Sequence, residues 1–367
     1  MRVMIAGGGT AGHINPGLAI AKHIKLKNPD AQILFIGTQR GMETKLIPIE
    51  GFQLKLIKVR GFKRKISIYN ITAVKELLQG MIEARKIIKT FKPDIVIGTG
   101  GYVCGPVLLN ASWMKIPTLI HEQNAMPGIT NRILSRFVDV VAISFKDSYK
   151  YFKNAKKTVF TGNPIRLEML MTDKISARQK LGVEVDKPLV VAVGGSSGAE
   201  KINNSVIEML LKHYKKEDCN IIFATGSTHH EYTANCLKEM QLPSIRILPY
   251  IYDAGSVYNS ADLVVCRAGA ITISELTALG IPSIMIPSPN VTANHQEHNA
   301  RALETQGAAV VMLEKDLNGH LLYRQITSLL RDKDQLSKMA RNAKRVGITD
   351  ASQKIYAIIQ EMLDSRK

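Results

Sequence analysis

The sequence predicts an α/β protein made of two similar halves, each a doubly wound parallel sheet, which face one another across a cleft. Two glycine-rich loops about half a chain apart support this prediction, residues 7–13 (GGGTAGH) and 194–199 (GGSSGA). Each loop follows an apolar run and precedes a helical pattern, an arrangement that directs backbone N–H groups and a helix N-terminus at phosphate. The chain has 367 residues, 45% of them hydrophobic, which is enough for two cores.

Apolar runs recur along the chain and alternate with helical patterns. Most are continuously apolar, as expected for parallel strands that helices cover on both faces. The predicted strands are residues 3–6, 32–36, 95–97, 118–121, 138–143, 189–193, 220–224, 245–248, 263–266, 283–286 and 309–312. This alternation predicts a doubly wound sheet in each half.

The composition turns polar and charged between residues 161 and 188, just before the second glycine loop. We therefore place the domain boundary near residue 164. The N-terminal domain is expected over 1–164 and the C-terminal domain over 165–349, with a helix over about 350–367 that packs back on the first domain.

The charge balance limits the classes of partner. The chain has 49 Lys and Arg against 31 Asp and Glu, a formal net charge of +18, which favours nucleotides, nucleic acids, phospholipids or pyrophosphate-bearing substrates. Only 6% of the residues are aromatic, and they do not interleave with basic ones, which disfavours a nucleic-acid-binding module. The four cysteines include no C-x-x-C pair, which indicates neither a zinc site nor a disulfide framework and fits a reducing cytoplasm.

Two stretches of the first domain are candidates for membrane segments, and neither is favoured as one. The N-terminus lacks the apolar core of a signal peptide. Residues 95–114 are uncharged and long enough to span a bilayer, but their glycines and proline favour a buried strand, a loop and a helix instead.

The first loop also matches the dinucleotide-binding fingerprint, Gly7-x-Gly9-x-x-Gly12. That fingerprint requires an acidic residue at the end of the second strand to bind a ribose. Here the second strand is followed by residues 37–40 (GTQR), and the nearest acid, Glu43, comes too late. A dehydrogenase is therefore disfavoured.

A third segment, residues 266–282, combines a strand end, small residues and a helical pattern. Backbone amides near Ala270 and Ile271 are placed to bind a diphosphate, and Glu275 is placed to accept hydrogen bonds from two ribose hydroxyls. The alternative is that Glu275 only complements the helix dipole, an effect of at most about 1 kcal/mol.

Seven segments together resemble the MurG family of glycosyltransferases, in order and over nearly the whole chain. They are residues 8–19, 98–103, 121–128, 161–166, the second glycine loop, 267–275 and 294–296. The resemblance implies the GT-B fold, two Rossmann-like domains with the donor site in the C-terminal one and a membrane-borne acceptor at the N-terminal one. The implied reaction moves N-acetylglucosamine, with inversion, from UDP-N-acetylglucosamine to the C4 hydroxyl of undecaprenyl-diphospho-N-acetylmuramoyl-pentapeptide, converting lipid I into lipid II of peptidoglycan synthesis.

The resemblance also assigns site residues. His13 is the candidate catalytic base, because an imidazole titrates near working pH, although a histidine at a helix start is otherwise a solvated or capping residue. Arg166 and the Ser196 hydroxyl are expected near the departing diphosphate, although Arg166 has the alternative of a linker ion pair. The remaining contacts are Thr10, Ala11, Gly12 and Asn124 in the cleft, Ile251 at uracil, Ala270, Ile271, Thr272, Ile273, Ser274 and Glu275 at the diphosphate and ribose, and Gln296 at the sugar.

No cofactor or metal is expected. UDP-N-acetylglucosamine is a substrate, and helix amides with a cation can stabilise departing UDP without a metal ion. The only D-x-D sequence, residues 332–334, lies in a charged helical tract and is interpreted as solvated surface.

A membrane-contacting surface is expected in the first domain. Residues 62–65 (FKRK) precede a helical pattern with apolar residues Val74, Leu77, Leu78, Met81 and Ile82, surrounded by Lys75, Arg85, Lys86 and Lys89, to which Trp113 could add. This pattern suits anionic lipid, and the alternative is a core-facing helix with a basic outer face. The resemblance implies peripheral attachment at the cytoplasmic face of the bacterial membrane, with other cell-wall synthesis proteins as partners and no nucleic acid.

Two related activities remain open from the sequence. A GT-B glycolipid synthase would share the donor half but not the match at residues 121–128, and testing both lipid acceptors separates the two. A UDP-sugar 2-epimerase would consume the donor without an acceptor, but its carboxylate acid and base groups are not evident here.

Overall fold

A computed structural model of the chain describes residues 1–61, 68–184, 186–195, 198–215, 219–240, 244–291 and 294–365, apart from the side chains of Ile68 and Leu167. The chain divides into two compact units. Unit 1 is Met1–Ile165 with Asp350–Lys367, and unit 2 is Arg166–Thr349. The division between Ile165 and Arg166 lies one residue from the boundary expected between residues 164 and 165.

The two units together contain thirteen described strands and fifteen described α-helices. The strands are β1 (Arg2–Gly7), β2 (Gln32–Gly37), β3 (Gln53–Leu56), β4 (Ile95–Gly100), β5 (Thr118–Glu122), β6 (Val140–Ile143), β7 (Thr158–Phe160), β8 (Leu189–Val193), β9 (Asn220–Ala224), β10 (Ile245–Leu248), β11 (Leu263–Cys266), β12 (Ser283–Met285) and β13 (Ala309–Val311). The helices are α1 (Ala11–Lys27), α2 (Glu43–Ile49), α3 (Ile68–Phe91), α4 (Cys104–Trp113), α5 (Ile129–Leu134), α6 (Leu167–Leu170), α7 (Lys174–Leu181), α8 (Glu200–Lys212), α9 (His230–Cys236), α10 (Ala254–Ser260), α11 (Ala270–Leu279), α12 (His295–Thr305), α13 (Gly319–Arg331), α14 (Lys333–Val346) and α15 (Ala351–Asp364).

Unit 1 is built on a seven-stranded parallel sheet in the order β3-β2-β1-β4-β5-β6-β7. Ile5 of β1 pairs with Phe35 of β2 and Ile97 of β4, and these three side chains belong to one core with α1 and α15. Met4 faces the opposite side of the sheet, where α3 and α4 cover it. Both faces are buried, and this explains why the central strands β1, β2 and β4 carry continuous apolar runs.

The C-terminal helix α15 belongs to unit 1 although the chain passes through unit 2 before reaching it. Ile355 and Ile359 are fully buried in the same core as Ile14 of α1. Lys157 adds an ion pair to Glu361 with 2.6 Å between Nζ and Oε1. Because this pair is exposed to solvent, the apolar contacts stabilise the docking more than the ion pair does.

Unit 2 repeats the topology of unit 1 without the last strand. Its six parallel strands run β10-β9-β8-β11-β12-β13. Val190 of β8 packs in a core with α8 and α13, and the next residue, Val191, packs in the core of the opposite face with α10 and α11. The two parallel sheets confirm the predicted fold class.

All eleven predicted strands are present, and β3 and β7 were missed. β3 is an edge strand without a fully buried residue, so it lacks the apolar run that identified the others. β7 is only three residues long. In addition, β6 begins at Val140 rather than at Val138. The uncharged stretch 95–114 forms β4, a glycine loop and α4, and among the described residues no helix is long and apolar enough to cross a bilayer.

Candidate active site

The first glycine loop joins β1 to α1, and a buried carboxylate holds its backbone. Gly9 N donates to Glu43 Oε2 at 2.9 Å, while Glu43 Oε1 accepts from the backbone N and the hydroxyl of Thr38, both at 2.7 Å. Glu43 is 0% exposed. The Gly9 amide is therefore already bonded, and the expectation that this loop directs its amides at phosphate is wrong for Gly9.

Glu43 is a functional candidate that the sequence pattern did not assign. It comes too late to bind a ribose, but α2 places it directly under the loop. Neighbouring glycines leave room for it, since a Cβ on Gly8 would lie 2.5 Å from Glu43 Oε1 and one on Gly41 only 1.8 Å from Oε2. The combination of an acid with flanking glycines is the signal that could have identified this contact.

The start of α1 leaves its first-turn amides uncapped by a side chain. Thr10 is the N-cap residue, and its side chain makes no capping hydrogen bond. Ala11 and Gly12 follow as the first helical residues, and Gly12 is exposed. His13 N donates to the Thr10 carbonyl oxygen at 3.0 Å. The amides before it in the first turn have no partner within a helix, so this end is suited to an anion.

His13 lies in the first turn of α1 against the C-terminal end of β4. Thr99 Oγ1 donates to the carbonyl oxygen of His13 at 2.7 Å. Gly100 has φ of +109°, and a Cβ there would lie 2.3 Å from His13 Nδ1. Gly100 is thus required both for its backbone conformation and for the space that the imidazole occupies.

The segment after β5 reaches His13 through a glutamine. His13 Nδ1 lies 3.3 Å from Gln123 Oε1, and Gln123 Nε2 lies 2.8 Å from the carbonyl oxygen of Thr99. Gln123 Nε2 also lies 3.0 Å from His121 Nδ1. Burial lowers the pKa of His121 to about 4, against the opposing effect of its hydrogen bond to the Gly162 carbonyl, so this imidazole is neutral at neutral pH.

Asn124 is held in the same segment by Glu122. Its backbone N and its Nδ2 lie 2.9 and 3.2 Å from Glu122 Oε1, and Glu122 Oε2 accepts from Gly128 N and Asn131 Nδ2. The buried carboxylate therefore fixes the turn over residues 124–128. The predicted site residues of unit 1 follow β1 and β5, at the edge where doubly wound sheets bind ligands.

In unit 2, two predicted donor residues contact each other. Arg166 Nη2 and Nε lie 3.1 and 3.3 Å from Glu275 Oε1. Glu275 is 4% exposed on α11, and burial raises the pKa of its carboxyl while Arg166 acts in the opposite direction. The ion pair shows that Glu275 does more than complement the helix dipole. Both bonds go to Oε1, so pairing with Arg166 does not by itself occupy Oε2.

The other predicted donor residues occupy several places in unit 2. α11 begins after Gly269, which has no side chain to cap it, and Thr272 and Ser274 are half-buried on this helix whereas Ala270, Ile271 and Ile273 are buried. Ile251 is buried between Tyr250 and Tyr252 in the chain. Gln296 Oε1 accepts from Ser288 N at 2.9 Å, so that amide supports a loop. Ser196 lies outside the described residues.

Acidic residues are not clustered for a metal ion in the part of the chain that the structure describes. No group of three or more His, Cys, Asp or Glu side chains there is placed to hold one. Asp332, the first residue of the D-x-D sequence, caps α14 by accepting a hydrogen bond from Gln335 N at 2.8 Å.

The outer face of α3 carries apolar side chains that are exposed. Its exposed members are Ile71, Val74, Leu78 and Ile82, with exposed fractions between 47% and 72%. The core side of this helix is formed instead by Ala73, Gly80, Ala84 and Ile88. The core-facing alternative is therefore wrong for Val74, Leu78 and Ile82, while Leu77 and Met81 are half-buried. Residues 62–65 lie outside the described residues.

The fold and these sites define the class of the protein. Two Rossmann-like units, each with a glycine loop after its first parallel strand, form the GT-B architecture of glycosyltransferases. Residues 3–143 match the N-terminal domain of glycosyltransferase family 28, and residues 189–355 match its C-terminal domain.

Relatives that match over the full length identify the family within this class. A protein of Acetivibrio thermocellus named UDP-N-acetylglucosamine--N-acetylmuramyl-(pentapeptide) pyrophosphoryl-undecaprenol N-acetylglucosamine transferase is 62% identical over 366 residues, covering 100% of this chain and 99% of the relative. A protein of the same name from Caldanaerobacter subterraneus is 53% identical, with 98% and 99% covered. The crystal structure of Acinetobacter baumannii MurG is 30% identical, covers 98% and 99%, and has a TM-score of 0.75. The chain therefore belongs to the MurG family of N-acetylglucosaminyltransferases.

The fold extends beyond this family. A UDP-N-acetylglucosamine 2-epimerase from Neisseria meningitidis, bound to UDP-N-acetylglucosamine, has a TM-score of 0.68 at 15% identity, covering 98% of this chain and all of that one. At this identity the likeness shows the fold alone.

Proposed function

We propose that this chain transfers N-acetylglucosamine from UDP-N-acetylglucosamine to the C4 hydroxyl of undecaprenyl-diphospho-N-acetylmuramoyl-pentapeptide, with inversion to a β-1,4 bond. The observation that carries the proposal is the 62% identity to a transferase of that name over the whole chain. The acceptor oxygen attacks the anomeric carbon as the bond to the UDP oxygen breaks, and the hydroxyl proton passes to a base.

His13 is that base, and unit 1 receives the acceptor. Its imidazole lies beside uncapped first-turn amides that suit the acceptor diphosphate. General base catalysis contributes about 10²- to 10⁴-fold, so His13→Ala should lower kcat by that factor. Near-normal turnover with an unchanged pH dependence would exclude His13 as the base.

Unit 2 binds the donor and stabilises departing UDP. Arg166 carries the positive charge for the diphosphate, and Glu275 accepts hydrogen bonds from the ribose hydroxyls through the oxygen that Arg166 does not contact. In this assignment Ser196, Ile251, residues 270–275 and Gln296 complete the donor site. No metal ion takes part, because a guanidinium and helix amides supply the positive electrostatic field that the leaving diphosphate needs.

The membrane-borne acceptor implies that the enzyme works peripherally at the cytoplasmic face of the membrane. The exposed apolar stripe of α3 is flanked by Lys75, Arg85, Lys86 and Lys89, which suits an anionic bilayer surface. Asn110 Nδ2 bonds the Met81 carbonyl at 2.9 Å and so ties α3 to α4, where Trp113 is 61% exposed. These features support α3 and Trp113 as the attachment surface.

Vesicle binding tests this attachment. Each basic residue near an anionic surface contributes about 1 kcal/mol, so the pair Lys86→Gln and Lys89→Gln should weaken cosedimentation with phosphatidylglycerol vesicles about 30-fold. The matched pair Lys338→Gln and Arg341→Gln on α14 of unit 2 should leave it unchanged. Equal binding by all three proteins would exclude this surface.

UDP release tests the reaction itself. The purified protein is given UDP-N-acetylglucosamine in chelator, with and without the lipid-linked muramoyl-pentapeptide. Release that requires the acceptor supports both the transferase and its independence of metal. Full loss of turnover in chelator would overturn the metal-free assignment, and donor consumption without acceptor would overturn the transferase.

A further inference from the structure

The hydrogen bonds around Gln123 determine how its amide is oriented. Its Nε2 lies 2.8 Å from the Thr99 carbonyl oxygen and 3.0 Å from the His121 carbonyl oxygen. Carbonyl oxygens only accept, so the atom that faces them must be the donating NH₂ group. The opposite orientation would bring three oxygens together without a proton between them. Gln123 Oε1 is therefore the atom that faces His13.

The neighbouring imidazole fixes the same orientation independently. His121 Nε2 lies 3.0 Å from the Gly162 carbonyl oxygen, so this nitrogen carries the proton. Because His121 is fully buried and neutral, its Nδ1 is unprotonated and accepts a hydrogen bond from Gln123 Nε2 at 3.0 Å. The backbone of Gln123 is also anchored, since its carbonyl oxygen accepts from Asn163 Nδ2 at 3.1 Å.

We infer that Gln123 is a positioning residue that holds His13 in the tautomer with the proton on Nδ1, leaving Nε2 as the basic nitrogen. Gln123 Oε1 accepts only, and it lies 3.3 Å from His13 Nδ1. In a neutral imidazole the other nitrogen is then the proton acceptor.

This inference rests on His13 as the proposed base, and it concerns only which nitrogen takes the acceptor proton. Gly100 packs against the Nδ1 side of the ring, which places Nδ1 toward the protein. The segment 121–128 thus acts on the reaction through His13, and it needs no contact of Gln123 with substrate to do so.

Nitrogen NMR of the full-length protein tests the inference without relying on a variant. With ¹⁵N-labelled histidine, the signals of His13 are those among the nine histidines that disappear in His13→Ala. Neutral His13 should show a protonated Nδ1 and an unprotonated Nε2. A protonated Nε2 in the wild-type protein would overturn the inference, whatever the kinetics show.

A pair of variants tests how the tautomer of His13 and the rate depend on Gln123. Gln123→Met keeps the length of the side chain and removes its hydrogen bonds, so the His13 signals should shift toward the Nε2-protonated form. The value of kcat should fall about 10- to 100-fold, less than on removal of the base itself, because the imidazole is still present. The KM for UDP-N-acetylglucosamine should stay within about twofold, since unit 2 is unaltered. The control Thr118→Val removes a buried hydrogen bond to Asp139 at the other end of β5 and should change neither reading.

The outcomes separate this inference from the proposed function. Unchanged His13 signals and kcat in Gln123→Met would overturn the positioning role. Full turnover in His13→Ala would instead overturn the base assignment, while the wild-type spectrum would still report the tautomer.

Discussion

The two glycine loops occupy equivalent places in the two sheets and have different surroundings. β1 lies between β2 and β4 as β8 lies between β9 and β11, and each loop leads into the helix that follows. In unit 1 the Glu43 carboxylate accepts a hydrogen bond from the Gly9 amide, and His13 lies in the first turn of the helix that follows. In unit 2 the described part of the loop bonds internally, from Gly198 N to the Gly195 carbonyl, and the paired charges lie at α11 instead.

This difference teaches that the same strand, loop and helix acquire different properties from the segments that pack beside them. In unit 1 the ends of β4 and β5 reach the loop with Gly100 and Gln123. In unit 2 the helix after β11, the equivalent of β4, carries Glu275. In the proposed function, one topology serves proton transfer in unit 1 and diphosphate binding in unit 2. The proposed functional side chains follow β1 and β5 in unit 1, whereas in unit 2 Glu275 follows β11.

Within this comparison, the largest effect is expected where the end of β4 contacts His13, the proposed base. Gly100→Ala adds a Cβ 2.3 Å from His13 Nδ1 at a φ of +109°, so the ring must move. A displacement of about 1 Å at a catalytic group costs about 100-fold, which we expect in kcat. UDP-N-acetylglucosamine binding, measured by calorimetry, should not change.

Gly105→Ala is the control for Gly100→Ala. A Cβ at Gly105 meets nothing within 4 Å, so this change on α4 should leave kcat near the wild-type value. If Gly100→Ala turned over as fast as the control, His13 would not depend on this contact.

The second-largest effect is expected at the charged pair of unit 2, Arg166 and Glu275. Glu275→Ala removes a buried hydrogen-bond acceptor, and loss of such a bond costs about 1 to 3 kcal/mol. The affinity for UDP-N-acetylglucosamine, measured by calorimetry, should therefore fall about 10- to 100-fold. Thr277→Val, also buried on α11, removes only a hydroxyl bonded to the Ile273 carbonyl and should bind the donor normally. Unaltered affinity in Glu275→Ala would leave this carboxylate a structural role only.

A third prediction concerns the pH dependence of unit 1. The pKa of His121 is about 4 in the folded protein and about 6.5 when unfolded. Between these values the unfolded chain binds a proton that the folded one does not, so the free energy of unfolding should fall as the pH is lowered. The expected loss from pH 7 to pH 5 is about 2 kcal/mol.

Trp113, the only tryptophan, reports the unfolding of unit 1 by its fluorescence. Denaturation at pH 7 and pH 5 should show the fall in the free energy of unfolding in the wild-type protein. In His121→Gln this fall should be smaller by about 2 kcal/mol. The same pH dependence in both proteins would show that His121 is not the group responsible.

Sequence reasoning predicted the features that rest on local patterns. Central strands such as β1 are buried on both faces and therefore carry a continuous apolar run, so they were found, whereas the exposed edge strand β3 was not. His13 and Glu275 were recognised from motifs. The contact of Glu43 with Gly9 and that of Gln123 with His13 join residues 34 and 110 positions apart, and no local pattern encodes such distances.

The smallest effect is expected from the carboxylate under the first loop. Glu43→Gln replaces one acceptor oxygen by an NH₂ group, so either Gly9 N or Thr38 loses its partner. A net hydrogen bond contributes about 1 kcal/mol, and the Gly9 amide should exchange with solvent about fivefold faster. Glu50→Gln, at the exposed far end of α2, should leave that exchange rate unchanged. Equal protection of Gly9 in both variants would mean that the glycines alone hold the loop, and the two loops would then differ only in the residues that follow them.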